Sequence, residues 1–429
     1  MADYVFEVFV PNGTPTHTYV KRAKEKNEEK LAAALDIPKM VISVSGPSKT
    51  GKTALIDTQI TSDRIIPISG QSLRSSSDLW LSVMRWIGGP EEVEKITETA
   101  LKADATGKAS AEAGIILAKG KAEAEISAGI ERTSTVSRRF GVEFFEAVVK
   151  ELKDSDFVVF LDDFHYISED SQIDIAKSIK AITERGVRVC VASVPHKSDD
   201  MVRANDELTG RNISITFTYW SIQELENIAK AGFNAMGVEI APQRIRELAT
   251  EALGSPQIMQ SLCLNLCLHK NIRNREALEK RTDISDEDMR AALERTTLQT
   301  DYSRAVEKFH TGARERGTQR KEFSFSDGSK GDVYRAILLS INCNPPRLSF
   351  DYDEIMERIK NVCIGDSPAG SSVQLALKQI DSIAKDVGQG NPILEWDDDR
   401  LEVTNPYFMF YLRSSPKLEQ IYTSKSGMV

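Results

Sequence analysis

The sequence predicts an α/β fold: a parallel sheet wrapped by helices, then a helical segment, then a small terminal unit. Three observations carry that prediction. An apolar run over 39–44 passes into Gly46-Pro-Ser-Lys-Thr-Gly51-Lys52-Thr53 and on into the apolar residues Ala54, Leu55 and Ile56. A second run, Phe157-Val-Val-Phe-Leu161, ends in the paired acids Asp162 and Asp163. Further apolar runs over 63–69 and 187–193 are set apart by stretches with helical spacing. Strands that alternate with helices form βαβ units, whose crossovers make a sheet parallel.

The first stretch has the spacing G-x-x-x-x-G-K-T between a strand and a helix, the context of a phosphate-binding loop. Gly46 and Gly51 let the backbone turn tightly around Pro47, Ser48, Lys49 and Thr50, so that N–H groups and the N-terminal end of the following helix face an anion. Lys52 is placed to meet β and γ phosphates, Thr53 to hold Mg²⁺, and Ala54 to continue the helix. The pattern implies ATP with Mg²⁺ as the ligand. In the second stretch, the strand brings Asp162 to its carboxyl end, where it can hold the Mg²⁺ shell through water, and leaves Asp163 to orient or deprotonate an attacking water. His165, just beyond the acids, is either a reporter of nucleotide state or an ordinary packed histidine.

A chain of 429 residues is long enough for two to four domains. Its net charge of −9 leaves no global basic footprint, which argues against a histone-like role. The five cysteines are scattered and lack C-x-x-C spacing, as expected in a reducing compartment, and Cys263 and Cys267 read as core. No signal pattern or spanning run is evident. The small-residue stretch over 109–130 carries Lys119, Lys121, Glu123 and Glu125, which exclude a span, so a cytoplasmic protein with no membrane partner is expected.

Along the chain, residues 4–11 alternate weakly and read as a short strand, and 24–35 as a polar helix. The stretch 78–87 is amphipathic at helical spacing. Residues 89–137 are small, polar and repetitive, and read as an insertion ordered, if at all, against a partner. Helices are expected over 138–152 and 172–185, and the strand over 187–193 ends at Ser193. Arg211 precedes another β-rich run; it is either an arginine acting on a neighbouring subunit's nucleotide or one half of a surface ion pair. Ser221-x-x-Glu224 and Ser285-x-x-Asp288 are capping boxes. Gly254-Ser255-Pro256 opens an apolar helix. The linker carrying Arg314, Arg316, Arg320 and Lys321 is either a solvated hinge or a phosphate-binding strip. Helices over 332–341, 351–362 and 371–387 and a hairpin over 393–403 follow, in winged-helix order. The hairpin carries Asp397, Asp398 and Asp399, which repel phosphate and favour protein binding over DNA reading.

Taken together, GPSKTGKT, FVVFLDDFH, the Gly-Ser-Pro turn, the winged-helix order and the closing Asn405-Pro-Tyr-Phe-Met-Phe-Tyr411-Leu-Arg413 resemble the STAND branch of AAA+-related P-loop ATPases. Within that branch they look like the prokaryotic ATPases related to the origin-recognition family. The resemblance implies that Tyr19 and Val20 lie over the adenine, unless they are simply a strand end. It implies that Ser193, with His196 as the alternative, senses the γ-phosphate, and that the backbone near Pro256, in a helical lid, approaches the nucleotide. The paired Asp in place of Asp-Glu departs from the pattern and leaves slow hydrolysis, or a scaffold without it, as an alternative. No fused sensor or effector is visible, so the resemblance implies a homo-oligomeric switch acting on a separate effector or sensor protein, in prokaryotic antiphage defence. A DNA-acting ATPase of the origin-recognition or transposition-regulator kind is the competing reading. The expected domains are a P-loop ATPase domain over 1–219, a helical lid and linker over 220–322, a winged-helix domain over 323–415 and a tail over 416–429.

Overall fold

The computed structural model describes residues 4–88, 143–194, 210–275, 280–314, 320–388 and 392–426. The insertion expected over 89–137 and the alternative sensor His196 lie outside the described residues. The chain divides into two compact units.

The first unit, Ala23–Gly46 with Leu55–Phe217, is built on a five-stranded sheet. Its strands are β1 (Val41–Ser45), β2 (Ile65–Ser69), β3 (Val158–Asp162), β4 (Arg188–Ser193) and β5 (Asn212–Thr216). They lie in the order β2-β3-β4-β1-β5, and every pairing is parallel. The unbroken apolar runs are explained by the burial of both faces, which removes any need for polar alternation. Side chains leave a strand on alternate faces. Thus Val41, Val159, Leu161, Val189 and Val191 share one core with the helices over 76–88, 143–152 and Glu169–Glu184. Ile42, Val44, Phe160, Cys190 and Ala192 face the other core, packed with Leu31, Leu55 and Ile56. The expected strands are therefore present within a residue or two at their ends.

The second unit comprises Met1–Arg22, Pro47–Ala54 and Thr218–Val429. Residues 4–11 are not a strand as the sequence predicted: Val5–Val8 is a single helical turn, with one isolated bridge from Tyr4 to Asn274. The reason is burial at helical rather than strand spacing. Val5, Val8 and Phe9 all enter the core, and the Phe9 ring meets Phe233 edge-on at 5.2 Å. Both expected capping boxes form, at Ser221/Glu224 and Ser285/Asp288. Cys263 and Cys267 are buried in this core, and burial pushes both thiols up, Cys267 to about 12.

Near the C-terminus, helices Val333–Asn342, Tyr352–Val362 and Gly370–Val387 precede strands Leu394–Asp397 and Arg400–Val403, in the expected order. The hairpin turns through Asp398 and Asp399, both at positive φ (46° and 57°). A two-residue turn of that kind matches the twist of the strands it joins. Ser349–Asp351 adds a third strand to the hairpin, which the sequence did not announce. Among the described residues, no helix is long and apolar enough to cross a membrane.

Candidate functional site: the P-loop and the carboxyl edge of the sheet

Within the first unit, strand register aligns the ends of three strands. Ser45 lies level with Ser193, and Leu161 with Val191, so Gly46, Asp162 and Ser193 all sit at the carboxyl edge. The connection after β1 runs to β2 on one side of it, and β4 leads to β5 on the other. The loop after β1 thus leaves the sheet where the strand order reverses, the place at which open α/β sheets bind ligands. Gly46 starts that loop in contact with Phe217: a Cβ added to it would lie 2.3 Å from the Phe217 Cβ, so only glycine fits. Two backbone bonds hold the junction, Gly46 N–H to the Ser193 carbonyl at 3.3 Å and Phe217 N–H to the Ser45 carbonyl at 2.6 Å.

Asp162 and Asp163 close β3 and differ in conformation. The Asp163 N–H donates to the Asp162 carboxylate at 2.8 Å, and Asp163 itself takes a left-handed backbone at φ 60°. Gln71 Nε2 donates to the Asp163 carboxylate at 3.2 Å. Gly70 makes this turn possible, because a Cβ there would stand 2.4 Å from the Asp163 carbonyl oxygen. Neither Gly70 nor Gln71 was a sequence candidate. Burial first, and the Asp163 charge second, push the Tyr166 phenol up. On β4, burial and then the Asp162 charge raise the Cys190 thiol, which stays protonated. His165 packs its ring 4.4 Å from that of Tyr166. Arg211, exposed at the start of β5, forms an ion pair with Glu184.

The loop residues Pro47–Ala54 belong to the second unit, together with Tyr19, Val20 and Pro256. Lys52 opens the helix Lys52–Gln59, and its Nζ donates to the Pro47 carbonyl at 2.9 Å. Thr50, fully buried, donates its hydroxyl to the same carbonyl at 2.8 Å. Thr53 is exposed in the first turn of that helix. Two residues that sequence reasoning missed hold the loop from outside. Trp220 Nε1 donates to the Thr50 carbonyl at 2.9 Å, and Ser255 Oγ to the Lys49 carbonyl at 3.2 Å. Ser255 also caps the helix Pro256–His269, so the Gly-Ser-Pro turn meets the loop through the serine, while Pro256 supplies the helix start.

Behind Trp220 stands Arg22, 6% exposed, with its guanidinium 5.2 Å from the indole ring. Arg22 donates to Glu224 at 3.1 Å and to the Thr218 carbonyl at 3.0 Å. Glu224 is in turn held below the usual carboxylate range: burial opposes this, but the Arg22 guanidinium and the Ser221 N–H outweigh it. Tyr19 and Val20 are half-buried, Val20 against the unit's core, in a segment tied down by Thr18, whose hydroxyl donates to the Val8 carbonyl at 3.0 Å.

No protein-family model matches this chain, and no curated protein matches it. Solved structures do. The Aeropyrum pernix ORC2 protein, in ADPNP–ADP complexes, aligns with a TM-score of 0.50 at 11% identity, covering 98% of each chain. The fold is that of the α/β P-loop NTPases. A Walker-type ATPase of Pyrococcus abyssi aligns at 0.46 and 14% identity, over 93% of this chain and all of that one. Cdc6p from Pyrobaculum aerophilum aligns at 0.42 and 13%, over 98% and 100%. At these identities the likeness is one of fold.

Proposed function

We propose that this chain binds ATP with Mg²⁺ at the loop Gly46–Ala54 and hydrolyses it, as an AAA+-type ATPase. The observation that carries the reading is the position of a lysine-bearing loop, opening a helix, at the carboxyl end of the strand where the sheet order reverses. The residues fit the ligand. Lys52 keeps its ammonium on a carbonyl of the loop itself, a contact that triphosphate oxygens can replace with charge-assisted bonds. Thr53 and Asp162 would hold the metal ion, whose charge offsets that of the phosphates when bound. Asp163, oriented by Gln71, would position and deprotonate water, and Ser193 would sense the terminal phosphate. Tyr19, Val20 and the turn before Pro256 are proposed to line the base. The Aeropyrum pernix protein was solved with ADPNP and ADP, which agrees with this assignment.

Hydrolysis would serve a switch: an oligomer, whose neighbouring subunits Arg211 could reach on leaving Glu184, acting on a separate protein. A defence role rests on the sequence resemblance alone. Reading the terminal module as a winged helix, one observation favours a protein partner over duplex DNA. Asp397, Asp398 and Asp399 form the exposed end of the hairpin, where phosphate would be repelled. The test is turnover: Asp163→Asn should leave ATP binding intact and lower ATP hydrolysis by about a hundredfold or more, within the range for loss of a general base. If hydrolysis is absent from the wild type under all ATP and Mg²⁺ concentrations, the enzymatic reading fails and a binding scaffold replaces it.

A further inference from the structure

A cleft of about 440 Å³ opens beside the helix Gly370–Val387, within the second unit and remote in sequence from the P-loop. Three cations, Arg314, Arg320 and Lys321, are among its lining residues. Phe323, Val333 and Leu375 supply apolar lining, and Ser372 and Gln379 polar lining. Part of the lining is held by its own contacts. Arg320 donates to Asp332 at 2.6 Å and lies 4.5 Å over the Tyr334 ring. The Tyr334 hydroxyl accepts from the Ala313 N–H at 3.2 Å and bonds the Gln379 side chain. The other two cations are exposed. Lys321 pairs with Asp366, both largely exposed, and lies 5.4 Å over the Phe323 ring; an exposed pair of this kind is worth little and exchanges readily. Arg314 is exposed and makes no ion pair among the described residues. Leu375 is 58% exposed and turns its apolar side chain into the same cleft.

A concave site of this volume, lined by apolar side chains and a few charges, matches the make-up of small-molecule sites. We infer that the cleft binds a small organic anion, with its phosphate or carboxylate on Arg314 and Lys321 and its apolar or planar body on Leu375 and Phe323. This reading is independent of the ATPase assignment. It also gives the basic linker a role in lining a site, beyond that of a hinge.

The probe is 8-anilinonaphthalene-1-sulfonate, an aromatic anion whose fluorescence rises in apolar surroundings, titrated into the full chain carrying Lys52→Ala so that the P-loop does not compete. Saturable binding is expected, weakened about tenfold by Arg314→Glu, the loss expected for one charge-assisted contact, and weakened also by Leu375→Asp, which puts a carboxylate where the apolar body of the anion would rest. Both residues are exposed, so the unfolding midpoint of each variant should match its parent and exclude misfolding as the cause. Displacement by AMP would identify a nucleotide ligand, and displacement by octanoate an acyl carboxylate; either supports the site. Absence of saturable binding, or binding equal in parent and both variants, overturns the proposal.

Discussion

Trp220→Phe isolates the hydrogen bond that holds the P-loop from outside. Phenylalanine keeps an aromatic face for the Arg22 guanidinium, now 5.2 Å from the indole, and most of the packing. It deletes the donor 2.9 Å from the Thr50 carbonyl, on a residue with no exposed surface. Loss of a bond of this kind costs about 1 kcal/mol net, and leaving the buried acceptor without a donor raises the cost to roughly 1–3 kcal/mol. Some of that appears as lower stability, measured as a shift in the urea midpoint at constant slope. The rest appears at the ligand. A loop that no longer rests in one conformation binds with an affinity reduced by the fraction of time it spends competent, so ATP should bind several-fold to about tenfold more weakly by calorimetry. Trp220→Ala, which also removes the stacking partner of Arg22, should exceed both effects. An unchanged midpoint together with unchanged ATP affinity in Trp220→Phe would refute the idea that this bond positions the loop.

Two further outcomes follow from single contacts. Gly46→Ala places a methyl carbon 2.3 Å from the Phe217 Cβ. It should lower stability by about 1–3 kcal/mol, the cost of forcing an atom into a packed site, read from urea unfolding; a neutral substitution would show that the strand end is slack. Asp288 supplies a pH dependence. Against the upward push of burial, the Ser285 N–H, the Lys270 ammonium and the Ser285 hydroxyl hold its carboxyl at about 2, below the ordinary 3.8. A depressed carboxylate stabilises the fold above its unfolded pKa, and that contribution is lost as pH falls from about 4 through 2. Asp288→Asn should therefore reduce the loss of stability across that window; identical acid unfolding curves for the two proteins would count against the assignment.

The sheet could be read from the sequence because both of its faces are buried. Strands such as β1 and β3, apolar along almost their whole length, stand out against polar connections. The capping boxes could be read because each is closed within four residues. Residues 4–8 misled because a run so short fits either period, and only the core behind Phe9 decides between them. The third strand of the terminal sheet, Ser349–Asp351, is three residues held by backbone pairing, with no side-chain pattern to betray it. At the site the same division holds. Gly46 to Thr53 is a local motif and was visible at once. Trp220 and Ser255 reach it across 170 and 206 positions, and a single sequence carries no signal for such pairings. Arg22 is the same case: its burial against Glu224 depends on a helix about two hundred residues away.

The most direct measurement of the central claim is calorimetric titration of ATP with Mg²⁺ into the wild-type chain and into Lys52→Ala. Lys52 is the loop lysine that opens the helix, its Nζ resting 2.9 Å from the Pro47 carbonyl, and charge-assisted bonds from it to phosphate are worth about 1.5–3 kcal/mol. Removing it should weaken ATP by about tenfold to more than a hundredfold, with no shift in the urea midpoint beyond roughly 0.5 kcal/mol, as for a residue not fully buried. Equal ATP affinity in the two proteins would contradict the account and leave the glycine loop as a structural turn.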